Sequence, residues 1–158
     1  MKKQQLNELL KGYKITSLRR TLDLIMFEFE FLGKQPLFLH AECFVQIATG
    51  NKVLLSTYDL YEPKPNLTKG KYELDDYGAT LFDYSLEKNL SQIVGHEIIS
   101  VSFRCCGLEF CLTDGLMIRI IPNTTEKNHE QLILSDDDVT YLWLWTDEND
   151  PGKIIDIS

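Results

Sequence analysis

The stretch Ile25-Met26-Phe27-Glu28-Phe29-Glu30-Phe31 decides the class of this fold. Ile25, Phe27, Phe29 and Phe31 alternate with Met26, Glu28 and Glu30. A period of two puts one set of side chains on a buried face and the other toward water, the pattern of a half-buried strand. Gly33-Lys34-Gln35-Pro36 breaks the run. Upstream, Tyr13 to Arg20 reads as a strand, with a turn over Thr21 to Asp23. Downstream, Leu37 to Thr49 reads as a third strand, and Gly50-Asn51 is a tight-turn signal before Lys52 to Tyr58. An antiparallel meander is therefore expected.

A short helix is expected before it. Leu6, Leu9 and Leu10 have helical spacing, and Gly12 suits the position after a helix end. A second helix carries Leu86, Leu90, Ile93 and Val94 as one apolar stripe, capped by Asp83 or Ser85 and closed by Gly95. Three strands then follow, His96 to Phe103, Leu108 to Thr113 and Leu116 to Ile121, with Asp114-Gly115 as the hairpin turn between the last two. Gln131 to Leu134, Val139 to Trp145 and Lys153 to Ile157 add further strand signals. Between the two halves runs a polar connection, Glu62 to Asp83, punctuated by Pro63, Pro65, Gly70 and Gly78. Connections of that length are often functional or mobile.

The halves can be superposed. Laying Gly12 on Gly95, an offset of 83, also lays Ile15 on Ile98, Ser17 on Ser100 and Phe27 on Phe110, all identical pairs. Duplication and convergence both account for the match, because any helix ending in glycine before a meander resembles another. Either way, the expected class is a strand-rich α+β fold. Two similar αβββ units, residues 4–61 and 84–145, pack into one domain over residues 1–158.

Charge narrows the function. The 158 residues carry a formal net charge of −8, and the pI is about 4.8. That disfavours nucleic acid and anionic membranes, and it would steer a basic partner toward the chain. No run reaches the roughly 18 apolar residues of a membrane span, and Met1 to Gln5 leads into amphipathic sequence, so a cytoplasmic protein with reduced cysteines is expected.

The chemical motifs are sparse. Cys43, Cys105, Cys106 and Cys111 include no Cys-x-x-Cys pair, and no metal or other cofactor is expected. His40 and Cys43 stand three apart on the third strand, hence on opposite faces, so they form no local dyad without a bulge. His96 and His129 suit capping and loop roles. Asp136-Asp137-Asp138 and Asp147-Glu148-Asn149-Asp150 lack the glycine and glutamate of a calcium loop. There is no glycine-rich phosphate loop and no nucleophile elbow. Tyr141, Trp143 and Trp145 are residue types enriched at binding hot spots, and they equally suit a strand that closes the core.

Two segments resemble a family of small uncharacterised bacterial proteins. They are Leu39-His40-Ala41-Glu42-Cys43-Phe44-Val45-Gln46 and Ser56-Thr57-Tyr58-Asp59-Leu60-Tyr61-Glu62-Pro63. The family has a Leu-His-x-x-Cys strand, a hairpin, an Asp-x-Tyr-x-Pro segment, a helix and a second meander. This chain lacks the arginines the family tends to place after the cysteine and near the C-terminus, having Phe44-Val45-Gln46 and Glu130-Gln131-Leu132-Ile133 there. The resemblance implies a fold and no reaction.

Three readings follow. The first is a non-enzymatic protein-binding module, specifically an immunity-type protein that neutralises a basic toxin domain. Asp136, Asp137, Asp138, Asp147 and Glu148 would steer the partner, and Tyr141, Trp143 and Trp145 would supply its anchors. The second is a small-molecule-binding or enzymatic domain with a cleft between the units, near His40, Asp59 and Tyr61. The third is self-association of two copies through a strand edge.

Overall fold

The computed structural model describes residues 3–68, 73–104, 107–121, 130–138, 140–146 and 151–155. Cys105, Cys106, His129, Val139, Asp147 and Glu148 lie outside the described residues. Tyr141, Trp143 and Trp145 are described by their backbone alone.

The alternation around Phe27 forms a strand as expected. β1 (Lys14–Thr21), β2 (Leu24–Glu30) and β3 (Leu37–Ala41) make an antiparallel meander. β2 buries Ile25, Phe27 and Phe29 and leaves Leu24, Met26 and Glu28 half-buried on its other face. The expected third strand, Leu37 to Thr49, is not one strand. It bends at Glu42 and Cys43 and continues as β4 (Phe44–Thr49) in a different sheet, followed by β5 (Lys52–Ser56). Periodicity misses this corner because it is never interrupted. Leu37, Leu39, Ala41, Cys43, Val45 and Ile47 are all buried, since both sheets face the same core.

The second half makes the reverse crossing. β6 (Ile98–Arg104), β7 (Gly107–Leu112) and β8 (Leu116–Ile121) form a meander beside β4, while β9 (Glu130–Ser135), β10 (Thr140–Thr146) and β11 (Pro151–Ile155) extend the first sheet. The six-stranded order is β1-β2-β3-β9-β10-β11, and the five-stranded order is β5-β4-β8-β7-β6. The inner faces share one core, and the Phe29 and Phe110 rings stack across it with centroids 6.4 Å apart. Asp114 and Gly115, with φ of 57° and 73°, make the expected β7–β8 turn.

The two meanders touch where β1 and β6 begin. Gly12 N donates to Ile98 O (2.9 Å) and Gly95 N to Ile15 O (2.8 Å). Ile98 N donates to Tyr13 O (2.8 Å) and Ile15 N to His96 O (3.1 Å). β1 slips register between Ile15 and Ser17, and β6 between Ile98 and Ser100. Gly12 and Gly95 both take left-handed φ, 91° and 93°.

The helices guard sheet edges. α1 (Lys3–Leu10) lies along β6, where Asn7 Oδ1 accepts from Val101 N at 2.7 Å. α2 (Leu81–Asn89) lies along β5, where Asn89 Nδ2 donates to Leu54 O at 2.9 Å. Each bond occupies an edge group that would otherwise pair with another chain. The N-cap of α2 is Thr80, with Asp83 completing a capping box, rather than Asp83 or Ser85 itself. The helix tightens to a 3-10 turn over Leu90–Gln92, so Leu86 and Ile93 of the expected stripe are buried while Leu90 reaches the surface.

The connection before α2 is tied down at its base. Arg20, at the end of β1, is buried and directs five donor contacts inward. Nε and Nη2 clasp Asp83 at 2.6 and 2.5 Å, Nη1 reaches Leu22 O (2.8 Å) and Leu74 O (2.7 Å), and Nη2 reaches Asp76 O (3.5 Å). Asp83 Oδ2 also accepts from Gly78 N at 2.9 Å and Thr80 Oγ1 at 2.9 Å. Lys64 N donates to Ala79 O and Leu81 N to Glu62 O, closing the loop at its neck. Burial alone would raise the Asp83 carboxyl, but hydrogen bonds from Arg20 and Thr80 and the Arg20 charge hold it below the usual carboxylate range.

Removing one partner of such a pair strands a buried charge, so Arg20→Met is expected to lower unfolding stability by about 3–5 kcal/mol in urea titrations. Because the folded Asp83 titrates below its unfolded value, the pair's stabilisation is complete above the ordinary carboxylate range and fades as pH falls through the folded value. Asp83→Asn should flatten that acid limb. Alanine at Gly95 meets nothing within 4 Å, whereas a Cβ at Gly12 meets Phe31 at 2.5 Å. Gly95→Ala should therefore destabilise by about 1 kcal/mol, the left-handed backbone cost, and Gly12→Ala by about 2 kcal/mol.

Candidate protein-binding face

The outer face of the six-stranded sheet follows from the register. Arg19 lies opposite Met26, Met26 opposite His40, and His40 opposite Ile133. The backbone register carries this row on to Trp143 in β10 and Ile155 in β11. A neighbouring row runs Ser17, Glu28, Phe38 and Ser135. Met26, Phe38, His40 and Ile133 are half-buried, shielding one another. Among the described residues neither helix packs on this face, since α1 lies against β6 and α2 against β5. The five-stranded sheet treats its outer face differently. Its central row is Gln46, Arg119, Glu109 and Ser102, with Arg119 Nε donating to Glu109 Oε2 at 3.1 Å.

The acidic turn expected to steer a partner sits on the same sheet. Asp136, Asp137 and Asp138 follow β9, with Asp137 and Asp138 exposed and Asp136 half-buried. Asp138 N donates to Asp136 Oδ1 at 2.8 Å, which holds the turn closed. The field of Asp136 reaches Tyr13, whose hydroxyl pKa is raised first by burial and then by that charge. The turn continues directly from Ser135, the partner of Phe38. Asp136 to Asp138 and the Trp143 position thus share one sheet, while Met26, Phe38 and Ile133 complete the face. These three are inconspicuous in the sequence because each takes the outward phase of an alternation whose other phase is buried.

The residues expected near a cleft are divided. His40 belongs to the face just described, whereas Asp59 and Tyr61 stand on a 3-10 helix, Thr57–Tyr61, after β5. Burial, then Glu62, raises the Asp59 carboxyl. Cys43 lies in the bend with its thiol in the core, pushed up to about 12 chiefly by burial, so it offers no thiolate to His40. A groove of about 670 Å³ does open where β1 meets β6. Its charged lining is Lys14, Lys34, Glu30 and Glu97, and Phe31 and Leu32 form its apolar wall. The two signs balance there, and none of His40, Asp59 and Tyr61 lines it. Among the described residues no group of three or more His, Cys, Asp or Glu is placed to hold a metal, and no helix is long and apolar enough to cross a membrane.

Burial, reinforced by Arg19, lowers the His40 pKa from its ordinary 6.5. NMR titration should place its midpoint below that value. Arg19→Ala should raise the midpoint part of the way back, because desolvation is the larger cause. A midpoint unmoved by the substitution would separate Arg19 from the face. No family model, curated protein or solved structure matches this chain, so its function is argued from geometry and charge.

Proposed function

We propose that this chain is a non-enzymatic protein-binding module that docks a basic partner on the outer face of its six-stranded sheet. The observation that carries the reading is an apolar patch in two neighbouring rows, Met26 and Ile133 in one and Phe38 in the other, on the sheet whose strand β9 runs into the acidic turn Asp136 to Asp138, with neither helix covering that face among the described residues. An apolar centre ringed by charge is the anatomy of an interface. The net charge of −8 would accelerate encounter with a cationic partner. The specific form we favour is an immunity-type protein that occludes a toxin domain with a basic catalytic surface, working in the cytoplasm. Trp143, in register with Ile133, would anchor the partner.

The same proposal includes an origin for the scaffold: residues 4–61 and 84–145 as two copies of one αβββ unit. Four backbone hydrogen bonds support it, because each pair exchanges members at an offset of 83. Gly12 with Ile98 mirrors Gly95 with Ile15, and Ile98 with Tyr13 mirrors Ile15 with His96. The irregularities after Ile15 and after Ile98 obey the same offset, as do the left-handed glycines. The strand orders correspond as well, each meander being extended by strands of the other half.

The double substitution Met26→Asp and Phe38→Asp tests the binding reading. Both side chains are half-buried outside the core and Phe38 faces Glu28, so urea unfolding is measured alongside, and Met26→Ser with Phe38→Ser replaces the pair where stability falls. The parent should capture a protein of pI above about 9 from its native host, with affinity that falls as salt rises. The double variant should lose at least about thirtyfold in affinity, as expected for two anchors at a hot spot. Equal capture by both proteins, or capture insensitive to salt, would overturn the proposal.

A further inference from the structure

Four tyrosines stand exposed on one connected piece of the molecule, away from the sheet face. Tyr58 and Tyr61 lie on the 3-10 helix after β5, Tyr77 on the connection and Tyr84 on the first turn of α2. Their exposures are 72%, 62%, 70% and 41%. A soluble chain gains nothing in folding from rings left this open. The 3-10 helix packs against α2, and Pro63 bridges to Thr80 between them, so the elements that carry the four tyrosines are joined.

Three of the four rings have a neighbour on the chain. Tyr58 leans on Phe44 with ring centroids 5.2 Å apart. Tyr77 lies over the Arg20 guanidinium at 5.8 Å, and Arg20 is fixed by Asp83 and by the carbonyls of Leu74 and Asp76. Lys88 Nζ sits 6.0 Å from the Tyr84 ring. Two of the four rings therefore already receive a cation from the chain itself, which is the chemistry a tyrosine face offers to guanidinium and ammonium groups. Exposed carboxylates, Glu62, Glu73, Asp75, Asp76 and Glu87, share the segment with two exposed lysines, Lys64 and Lys88. Aromatic rings with two side-chain torsions, fixed in advance, lose little entropy on binding.

We propose that this tyrosine platform is a second docking surface, one that takes an arginine-bearing segment of a partner protein. Guanidinium planes would lie on Tyr61 and Tyr84 while the neighbouring carboxylates accept their N–H groups. Arginine is favoured over lysine because its planar fork can stack and donate at once. The inference stands independently of the sheet-face reading, since the two surfaces share no residue.

The probes are a nona-arginine peptide and a nona-lysine peptide, titrated into isotope-labelled protein at physiological salt. The arginine peptide should bind at least about fivefold more tightly. Its shifts should fall on Tyr58, Tyr61, Tyr77 and Tyr84, leaving the Met26 methyl unmoved. Tyr61→Ser with Tyr84→Ser should weaken the arginine peptide at least about tenfold, bringing it to the level of the lysine peptide, with unfolding stability retained. Equal binding of the two peptides would overturn the proposal, as would shifts centred on Asp136 to Asp138 or an undiminished affinity in the double variant. Should the variant lose stability, the shift map on the parent protein decides alone. Loss of the Met26 and Phe38 surface leaves this result untouched, so failure of one reading is distinguishable from failure of the other.

Discussion

The Arg20–Asp83 pair sits where the end of β1, the start of α2 and the connection between the halves converge. A buried pair of this kind contributes little net stability compared with apolar side chains of the same volume. What it contributes is position. One guanidinium uses its fork on Asp83 and spends its remaining donors on the carbonyls of Leu22, Leu74 and Asp76. One carboxylate completes a helix cap and also holds Gly78. A connection that composition alone describes as loose is thereby registered against the sheet. A lysine at position 20 would keep the charge and lose the fork, releasing the carbonyls that fix the connection.

Around that hub the chain meets a problem common to two-layer β folds, which is how to limit open sheet edges. Each meander is extended by strands from the opposite half, so β4 joins β8 and β9 joins β3. The crossings braid the two layers around a single core. The outer edges are met by amides, Asn7 against β6 and Asn89 against β5. An amide reaching a strand backbone satisfies it without inviting another strand. Two of the four sheet edges are thereby engaged along part of their length, which weighs against edge-to-edge self-association through β5 or β6.

Much of the fold was legible because burial follows alternation. Ile25 to Phe29, the Asp114-Gly115 turn and the glycines at 12 and 95 behave as their spacing and chemistry dictate. The corner at Glu42 and Cys43 was not legible, since a strand that changes sheets while facing the same core keeps its period. The capping box was half-read: Asp83 was recognised as a cap residue, but its main partner, Arg20, lies 63 residues earlier. No local pattern encodes a pair at that separation. The candidate face was partly legible in Asp136 to Asp138. Met26, Phe38 and Ile133 were hidden, because an apolar residue in the exposed phase of a strand looks like noise until its cross-strand neighbours are known. The exposed tyrosines were equally hidden, for exposure is a property of the packed chain.

The buried polar groups among the described residues are spent on the fold itself. Six described polar residues are buried: Arg20, Ser56, Thr57, Thr80, Asp83 and Asn89. Every one has a structural task. Thr57 accepts from Val45 N, Ser56 from Tyr58 N, Asn89 supports β5, and the other three form the hub. Cys43 is buried with its thiol held protonated. These side chains are already committed, and the groove at the β1–β6 junction balances its lysines with glutamates. Aromatic, apolar and acidic side chains that reach solvent lie on two outer surfaces. On the two proposals above, both would suit a cationic protein, one through an apolar patch beside carboxylates and the other through tyrosine rings among them. If both proposals hold, a partner that spans the two surfaces would make its second contact intramolecularly once the first had formed.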